Sequence, residues 1–379
     1  MYDIVVIGGN LAGTTAAITA SEKGGNVAII EKNESPHYPA HCGEGIDTTT
    51  ASFIDFEKIN CYTNPIEKMV IKLTHNKQYQ IHFKKKGLIV FDRNYLEKKL
   101  LEKSKENGVD VLLGQKMIDY HPPNTIITDK HLNIKGKVII DASGINCVIG
   151  KKMGMKPKTL PQDIGVCIQS RVKGDIDAKT MKTWFHKPYA PFGYGWVFPI
   201  DKDYANIGIG IPGGQHVDMH HLLQLYIQEE LGSDYEIMDT FHACVPSAPP
   251  VNSMVKDNVL LTGDAARLVN AFLGSGIANA IVSGSLAGGI AIEYVQKKIP
   301  SLDAYQEILA PKINRLQKVY QKRNKTLFTA SFYTSYKRGF FALTLMNKLL
   351  PNTFNKQVEK ILGKDIALIK KHKKTPTLF

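Results

Sequence analysis

The residues of this chain best suited to chemistry form two groups of small residues, one at the N-terminus and one late in the sequence. The first is a glycine turn after a predicted strand, and it contains Gly8, Gly9, Asn10, Ala12 and Gly13. The second contains Gly263, Asp264, Gly274, Gly276 and Ile277. Glycine lets a backbone come close to a phosphate, and the helix after such a turn stabilises the phosphate charge. The two groups predict one nucleotide cofactor that both of them bind.

An acidic residue supports this interpretation. Glu31 closes the second predicted strand, residues 26–30, and a carboxylate there accepts a ribose hydroxyl in dinucleotide-binding units. Lys32 beside it is a further candidate for the cofactor site. The N-terminal unit alone would suit NAD or FAD. Because the second group comes so late, it favours FAD, with Asp264 on the ribitol chain and the backbone amides after Gly276 facing the flavin ring.

Three further positions are candidates for cofactor binding. Arg93 stands just before a predicted helix, residues 94–107, where a cation could bind pyrophosphate. Ala142 and Gly144 follow a wholly apolar strand, and small residues at a strand end let the backbone approach a ligand. The alternatives are that Arg93 is an ordinary surface residue and that Ala142 and Gly144 belong to a plain turn at the end of the strand.

The loop after the second strand carries the reactive side chains. We call Cys42, Gly43 and Glu44 the Cys42 loop. From this place in the chain the loop can reach a flavin, so we expect Cys42 and Gly43 to contact the cofactor and Cys42 and Glu44 to handle protons. The alternative is a glycine-bearing surface loop. The five cysteines are scattered without a CxxC pair, so we expect no metal site.

An aromatic segment provides the candidate substrate site. Its residues are Tyr194, Trp196, Phe198 and Pro199, followed on the next predicted strand by Gly208 and Gly210. Pockets for apolar ligands are lined by such side chains. We expect an apolar wall beside the cofactor, and the alternative is a structural core strand.

The elements that carry these groups predict an α/β (α+β) fold, in which a Rossmann-like FAD-binding domain is interleaved with an antiparallel-sheet substrate domain and followed by C-terminal helices. The cofactor motifs flank a strand-rich insert, so the domains cannot simply follow one another. The predicted limits are 1–65, 92–163 and 256–300 for the FAD-binding domain, 66–91 and 164–255 for the substrate domain, and 301–379 for the helical region.

Composition bounds the partners and the compartment. The net charge is +13, which favours anionic partners. No basic motif interleaved with aromatic residues is present, so we expect an anionic membrane rather than nucleic acid. The odd cysteine count and a start that reads as a strand rather than a leader predict a cytoplasmic protein, peripheral on the inner face of the membrane. No segment looks able to span a bilayer, and 327–336 and 339–346 suit either core packing or a membrane surface.

Together these motifs resemble the geranylgeranyl reductase family, within the p-hydroxybenzoate hydroxylase-like flavoproteins, over about residues 1–300. The glycine turn and the Gly263-Asp264 pair are shared across that superfamily. Two motifs are narrower, the PxxCGE loop from Pro39 to Glu44 and the YxWxFP segment from Tyr194 to Pro199 with its following GxG. Asn10 and Ala271 depart from the family's usual glycine and proline.

The resemblance implies an FAD enzyme that saturates isoprenoid double bonds, most readily those of archaeal digeranylgeranylglycerophospholipids. Hydride would come from N5 of the reduced flavin and a proton from Cys42 or Glu44. The electron donor is open between NAD(P)H and a reduced ferredoxin, and the basic surface would suit the latter. The competing classes are a flavin monooxygenase or halogenase, an electron-transfer flavoprotein-type quinone oxidoreductase, and a flavin-binding protein without activity.

Overall fold

The computed structural model describes residues 1–35, 42–52, 54–83, 87–329 and 331–334, with residues 338, 341 and 345. Pro39, Ala40 and His41, which begin the predicted PxxCGE motif, lie outside the described residues, as does most of the predicted helical tail beyond residue 334. Seven α-helices occur in these ranges: α1 (Leu11–Glu22), α2 (Thr48–Ala51), α3 (Arg93–Glu106), α4 (Val148–Lys152), α5 (Met219–Leu231), α6 (Ile277–Val295) and α7 (Ala304–Thr326).

The same ranges contain eighteen strands in three sheets: β1 (Tyr2–Ile7), β2 (Val27–Ile30), β3 (Gly45–Asp47), β4 (Thr63–Ile66), β5 (Lys68–Thr74), β6 (Lys77–His82), β7 (Leu88–Phe91), β8 (Asp110–Leu112), β9 (Met117–His121), β10 (Thr125–Thr128), β11 (Asn133–Asp141), β12 (Ile164–Gly174), β13 (Thr180–Trp184), β14 (Tyr194–Pro199), β15 (Tyr204–Pro212), β16 (Tyr235–Pro246), β17 (Val255–Lys256) and β18 (Val259–Leu261).

The first sheet is the cofactor sheet. Its order is β17-β18-β11-β1-β2-β8, with β9 and β10 attached to β11. β1 lies between β11 and β2 and is parallel to both. Strands buried on both faces must be apolar throughout, which explains runs such as Ile4–Ile7. Their carboxyl ends meet at one edge, where open α/β sheets bind their ligands.

The second sheet has seven strands in the order β16-β12-β15-β14-β13-β5-β6. All neighbours are antiparallel except β13 and β5. Helix α5 covers one face, where Leu223, Tyr226 and Ile227 pack into a buried cluster with residues of β12, β14 and β15. The opposite face is free to meet the cofactor sheet. A third, small sheet joins β3, β7 and β4.

Interleaving follows from this topology. β5 and β6 precede the bulk of the cofactor sheet in the chain but join the second sheet, while β17 and β18 return to the first. The segment 66–91, which the sequence assigns to the substrate domain, is divided between two sheets. β5 and β6 join the second sheet, whereas β7 pairs with β3 and β4 in the third. The mixed α/β architecture is confirmed, and the numerical domain limits stay predictions.

Helix α6 differs from the expectation that no segment could span a bilayer. By length and composition Ile277–Val295 could do so, yet 72% of its most apolar window is buried inside the protein. Two glycines explain the burial. A Cβ on Gly284 would lie 2.2 Å from the carbonyl oxygen of Ala12, and one on Gly288 would lie 2.0 Å from that of Ala16. The helix therefore packs tightly on α1 as a core element.

Candidate active site

Two positions of the glycine turn, Gly8 and Gly13, have no room for a side chain. Gly8 has a φ of +107°, and a Cβ there would lie 2.5 Å from the carbonyl oxygen of Ala142. A Cβ on Gly13 would lie 1.8 Å from the carbonyl oxygen of Gly8. The turn thus presses α1 against β1 and leaves a backbone surface at the sheet edge, as pyrophosphate binding requires.

Asn10 occupies the position where the family usually has glycine. Its φ of −87° is open to any residue, so glycine is not needed there. The side chain caps α1, because Oδ1 accepts from the amides of Ala12 at 3.0 Å and Gly13 at 3.3 Å. Its Nδ2 donates to the carbonyl of Ala142 at 2.6 Å. The departure therefore adds a side-chain bridge between the turn and the end of β11.

Glu31 lies at the end of β2, as the sequence predicts. Its Oε2 accepts from the amide of Gly9 at 2.8 Å and its Oε1 from the amide of Asn33 at 2.9 Å. Each carboxylate oxygen has two lone pairs, so acceptance of a ribose hydroxyl remains open. Lys32 is exposed beside it.

The late group of small residues lies directly against this turn. Gly263 has a φ of +58°, and its Cβ would lie 3.0 Å from that of Ala12 on α1. Gly276 caps α6, and a Cβ there would lie 3.3 Å from Oδ1 of Asp264. Gly274, with a φ of +65°, and Ile277, the first residue of α6, complete the group. The two predicted halves therefore form one cradle.

Arg93 connects this cradle to the Cys42 loop. Its Nε and Nη2 donate to Oε1 of Glu97 at 3.0 and 2.9 Å, and its guanidinium also contacts the Cys42 side chain. Desolvation lowers the pKa of Arg93, but these two partners outweigh it and hold the pKa above its ordinary value. Burial raises the pKa of Asp264, and the nearby charge of Arg93 opposes that shift. The Arg93 guanidinium thus lies near both the Cys42 thiol and the Asp264 carboxyl.

These residues fit FAD. Gly8, Ala142 and Gly144 are small residues that follow the carboxyl ends of β1 and β11, and Gly144 has a φ of +67°. Glu31 and Asp264 supply carboxylates in the two halves. Two helix N-termini, those of α1 and α6, carry partial positive charge that would suit the anionic groups of such a cofactor.

Opposite the cradle, one face of the second sheet carries three rows of side chains across β12, β15 and β14. We call it the aromatic face. Cross-strand register defines the rows, which are Cys167, Gly210 and Tyr194; Gln169, Gly208 and Trp196; and Arg171, Asn206 and Phe198. The YxWxF spacing places its three aromatic residues on this single face because side chains alternate along a strand. Pro199, by the same alternation, belongs to the opposite face.

The glycines of the GxG pattern make room for Trp196. A Cβ on Gly208 would lie 2.3 Å from the indole Cζ2, and one on Gly210 would lie 3.5 Å from Cζ3. The indole therefore lies flat over β15 and reaches β12, where its Nε1 donates to Oε1 of Gln169 at 2.9 Å. The two glycines thus shape the aromatic face by leaving room for the indole. Their direct contact with substrate stays a prediction.

The Cys42 loop lies over these rows. A Cβ on Gly43 would lie 2.8 Å from the ring of Phe198, so only glycine fits. Glu44 has a left-handed φ of +65°, and its buried carboxylate is tied to the sheet. Oε2 accepts from Nδ2 of Asn206 at 2.7 Å and from Nη2 of Arg171 at 3.0 Å. The loop is thus fastened to the aromatic face.

Cys42 and Glu44 differ in their surroundings. Burial raises the pKa of the Glu44 carboxyl, against the opposing effects of Arg171 and Asn206. Cys42 is only partly buried, and its Sγ accepts from the amide of Glu44 at 3.2 Å. Burial, with the neighbouring thiols Cys167 and Cys42, raises the pKa of Tyr194. The thiol therefore lies between Arg93 and the aromatic face, while the carboxyl points into the sheet.

Three polar residues of this site are absent from the sequence prediction: Gln169, Arg171 and Asn206. Their only sequence signal is polarity at alternate positions of a predicted apolar strand, Gln169 and Arg171 being two residues apart. That pattern normally marks a solvated face. Their pairing with a loop more than a hundred residues earlier could not be read from it.

Fold and site together define an FAD-dependent oxidoreductase. Residues 3–151 match the family model described as FAD dependent oxidoreductase. Among solved structures, p-nitrophenol 4-monooxygenase from Pseudomonas putida has a TM-score of 0.76 at 14% identity, with 97% of this chain and 98% of that chain covered. At this identity the likeness shows the fold alone.

The chain belongs to the geranylgeranyl reductase family. Residues 163–245, which include the aromatic face, match the model of the geranylgeranyl reductase catalytic domain. Digeranylgeranylglycerophospholipid reductase 1 of Methanococcoides burtonii is 30% identical over 360 residues, covering 90% of this chain and 85% of the relative. A geranylgeranyl bacteriochlorophyll reductase-like protein from Thermoplasma acidophilum has a TM-score of 0.77 at 22% identity, with 96% and 99% covered. The resemblance noted from the motifs is confirmed.

Proposed function

We propose that this enzyme saturates the isoprenoid double bonds of an archaeal-type digeranylgeranylglycerophospholipid. The observation that carries the proposal is the position of the Cys42 loop, fastened over an aromatic face that can line a slot for a polyprenyl chain. The relative from Methanococcoides burtonii bears that substrate in its name and matches most of the chain.

The chemistry requires a hydride and a proton for each double bond. As the π bond breaks, two C–H bonds form and the alkene gains two electrons and two hydrogens. Reduced FAD, when bound, supplies the hydride. An isolated alkene has no carbonyl to stabilise a carbanion, so the proton must arrive early and leave cationic character on the more substituted carbon. The faces of Trp196, Tyr194 and Phe198 stabilise such charge and exclude water.

We assign proton handling to Cys42 and loop anchoring to Glu44. The Glu44 carboxyl is occupied by Arg171, Asn206 and the backbone amide of Arg93. The Cys42 thiol is partly exposed between the cradle and the aromatic face. This geometry supports a proton donor at Sγ of Cys42, resupplied from solvent.

Anaerobic turnover tests the activity. Purified enzyme, dithionite as reductant and digeranylgeranylglycerophospholipid are incubated without oxygen, and the lipid is measured by mass spectrometry. The expected product gains two hydrogens per double bond. An unchanged lipid with a fully reducible flavin would refute the substrate assignment, and an oxygenated product in air would indicate the monooxygenase alternative.

Two variants test the assignment of roles. Cys42→Ala should keep bound FAD and lose at least about 100-fold in kcat, the size of a general acid contribution. Glu44→Gln should keep FAD and lose less, because the amide can still accept from Asn206. Full turnover by Cys42→Ala would remove the thiol from the mechanism, whatever the result for Glu44→Gln.

We further propose that the enzyme is cytoplasmic, lies peripherally on an anionic membrane and takes electrons from NAD(P)H or an acidic ferredoxin. The net charge of +13 supports both anionic partners. Leu273 and Phe328 are exposed apolar side chains near the start of β14, since the Tyr194 hydroxyl donates to the carbonyl of Leu273 and Phe328 makes an edge-to-face contact with Phe192. Leu273→Glu should reduce sedimentation with anionic liposomes, while Lys202→Gln, which lowers the net charge by the same one unit, serves as a remote charge-matched control. Equal sedimentation of both variants and the wild type would contradict contact at this end.

A further inference from the structure

The middle row of the aromatic face contains a buried amide that joins the two parts of the site. Gln169 is only 3% exposed. Its Oε1 accepts from the indole Nε1 of Trp196 at 2.9 Å. Its Nε2 donates to the backbone carbonyl of Cys42 at 3.0 Å. One side chain thus bonds both the proposed proton donor's backbone and the central ring of the wall.

The chemistry of the two partners fixes the orientation of this amide. An indole N–H can only donate, and a peptide carbonyl can only accept. A primary amide offers one acceptor and one donor group at a spacing that serves both at once. A carboxylate in its place could serve the indole but would oppose the Cys42 carbonyl, and an aliphatic side chain could serve neither.

The route across the sheet is also specific. Gln169, Gly208 and Trp196 are direct cross-strand partners on β12, β15 and β14. Because Gly208 has no side chain, the indole passes over β15 and reaches Gln169. A movement of the ring therefore displaces the amide, and the amide displaces the Cys42 loop.

We infer that Gln169 is a positioning residue that sets the distance between Cys42 and the alkene lying on Trp196. This inference deepens the proposed function and rests on it, since the group being positioned is the proposed proton donor. Glu44 holds the other end of the loop through Arg171 and Asn206, whereas Gln169 holds the backbone of the residue that carries the thiol.

The test compares two variants with a matched control. Gln169→Glu keeps the acceptor for Trp196 and removes the donor for Cys42, and Gln169→Leu removes both. Ser170→Ala removes a buried hydrogen bond from the adjacent residue of the same strand, the 2.7 Å contact with Thr240, on the face opposite the Cys42 loop. All three are purified as holoenzymes and their melting temperatures and flavin spectra are recorded.

The first measurement does not depend on turnover. Holoenzyme is treated with iodoacetamide, and the rate of alkylation at Cys42 is followed by peptide mass spectrometry. Both Gln169 variants should alkylate Cys42 several-fold faster than the wild type, because the Cys42 backbone has lost its bond to Gln169, and Ser170→Ala should match the wild type. Wild-type rates in both Gln169 variants would overturn the inference. If Gln169→Leu does not fold, Gln169→Glu decides alone.

The second measurement separates positioning from binding. Misplacement of a reacting group by about 1 Å can cost 100-fold in rate, so we expect kcat of Gln169→Glu to fall about tenfold or more with KM nearly unchanged. A fall in melting temperature equal to that of Ser170→Ala, with unchanged kcat and alkylation, would show a structural role only. Full activity of Cys42→Ala would refute the proton assignment separately, because the alkylation result does not require it.

Discussion

The cofactor cradle and the aromatic face solve the same problem, a close approach to a ligand, by opposite means. In the cradle the backbone itself is brought close, and Gly8, Gly13 and Gly263 exclude side chains. On the aromatic face the surface that would meet a ligand is made of side chains. Gly208 leaves the room in which the indole of Trp196 lies across β15. A glycine in the first region therefore lets two backbone segments come together, whereas a glycine in the second makes room for an aromatic ring.

The difference has an energetic basis. Backbone amides of the cradle are held by short-range geometry, and one Cβ there collides with backbone that cannot yield. The aromatic face is held by hydrogen bonds between strands, and a Cβ on Gly208 there meets first the Trp196 side chain, at 2.3 Å, and only then backbone, the carbonyl oxygen of Ile168 at 2.9 Å. Substitution should therefore abolish binding in one region and degrade geometry in the other.

The largest effect is expected for Gly13→Ala. Its Cβ would lie 1.8 Å from the Gly8 carbonyl, so α1 must move away from β1. We expect loss of bound FAD and a decrease of about 3 kcal/mol in the free energy of unfolding, typical of a backbone clash in a core. Absorbance at the flavin bands and chemical denaturation measure the two effects.

Gly289→Ala provides the control for that experiment. It lies in α6, and its Cβ would meet mainly the flexible end of Lys23, at 3.3 Å. Alanine favours a helix interior by roughly 0.5–1 kcal/mol over glycine. This variant should keep FAD at wild-type stability or slightly above. A yellow, stable Gly13→Ala protein would break the comparison.

The second effect is expected for Gly208→Ala. Its Cβ would lie 2.3 Å from Trp196 and 2.9 Å from the carbonyl oxygen of Ile168, so the indole must rotate and release Gln169 and the strand must shift slightly. FAD should remain bound, and kcat should fall about 100-fold, the cost of misplacing the reacting geometry. Stopped-flow reoxidation of the reduced flavin by lipid measures it. Loss of FAD with intact chemistry would show that the two regions are not separate.

A smaller effect is expected for Asn10→Ala. The change removes the α1 cap and the bond to Ala142, so the free energy of unfolding should fall by about 1 kcal/mol. Asn10→Gly restores the family's glycine but also loses the Ala142 bond, and should fall between the other two proteins. Thermal denaturation of the three holoenzymes provides the ranking. A Gly variant more stable than wild type would contradict the bridging role.

The smallest effect concerns pH. Burial raises the folded-state pKa of Glu44 above its ordinary 4.5. A carboxyl with a raised folded pKa binds its proton more tightly when folded, so its stabilising contribution is present at low pH and is lost as pH rises from about 4.5 through the folded pKa. Glu44→Gln should lack this component. Its melting temperature relative to wild type should therefore increase from pH 4 towards pH 7, and the opposite slope would mean that Arg171 dominates.

The cradle was largely predictable from sequence because its signals are local. The turn at Gly8, the acid at Glu31 and the Gly263-Asp264 pair each follow a strand within a few residues. Helix α3 also begins where expected, with Asp92 accepting from the amide of Tyr95 at 2.9 Å. Backbone conformation and capping are decided over such short distances.

The aromatic face was predictable only in part. The spacing of Tyr194, Trp196 and Phe198 indicates one face of a strand, but their partners depend on the register between β12, β15 and β14. Register is set by the whole sheet, and a slip of one residue would turn every partner away. Polarity alone could therefore not reveal the partners of Gln169 and Asn206. The membrane-spanning appearance of α6 was readable from its length and composition, but its burial was not, since burial depends on what a helix packs against.

Helix α6 bears on how membrane topology is predicted for chains of this kind. A scan based on hydropathy would place Ile277–Val295 across a bilayer, and so assign Asp264 and the basic helix α7 to opposite compartments. The packing of α6 argues against that assignment, because Gly284 and Gly288, four positions apart, face the backbone carbonyls of Ala12 and Ala16 on α1. In flavoproteins of this kind, an apolar segment that directly follows a turn such as Gly274-Ser275-Gly276 should first be tested for packing against a helix near the N-terminus.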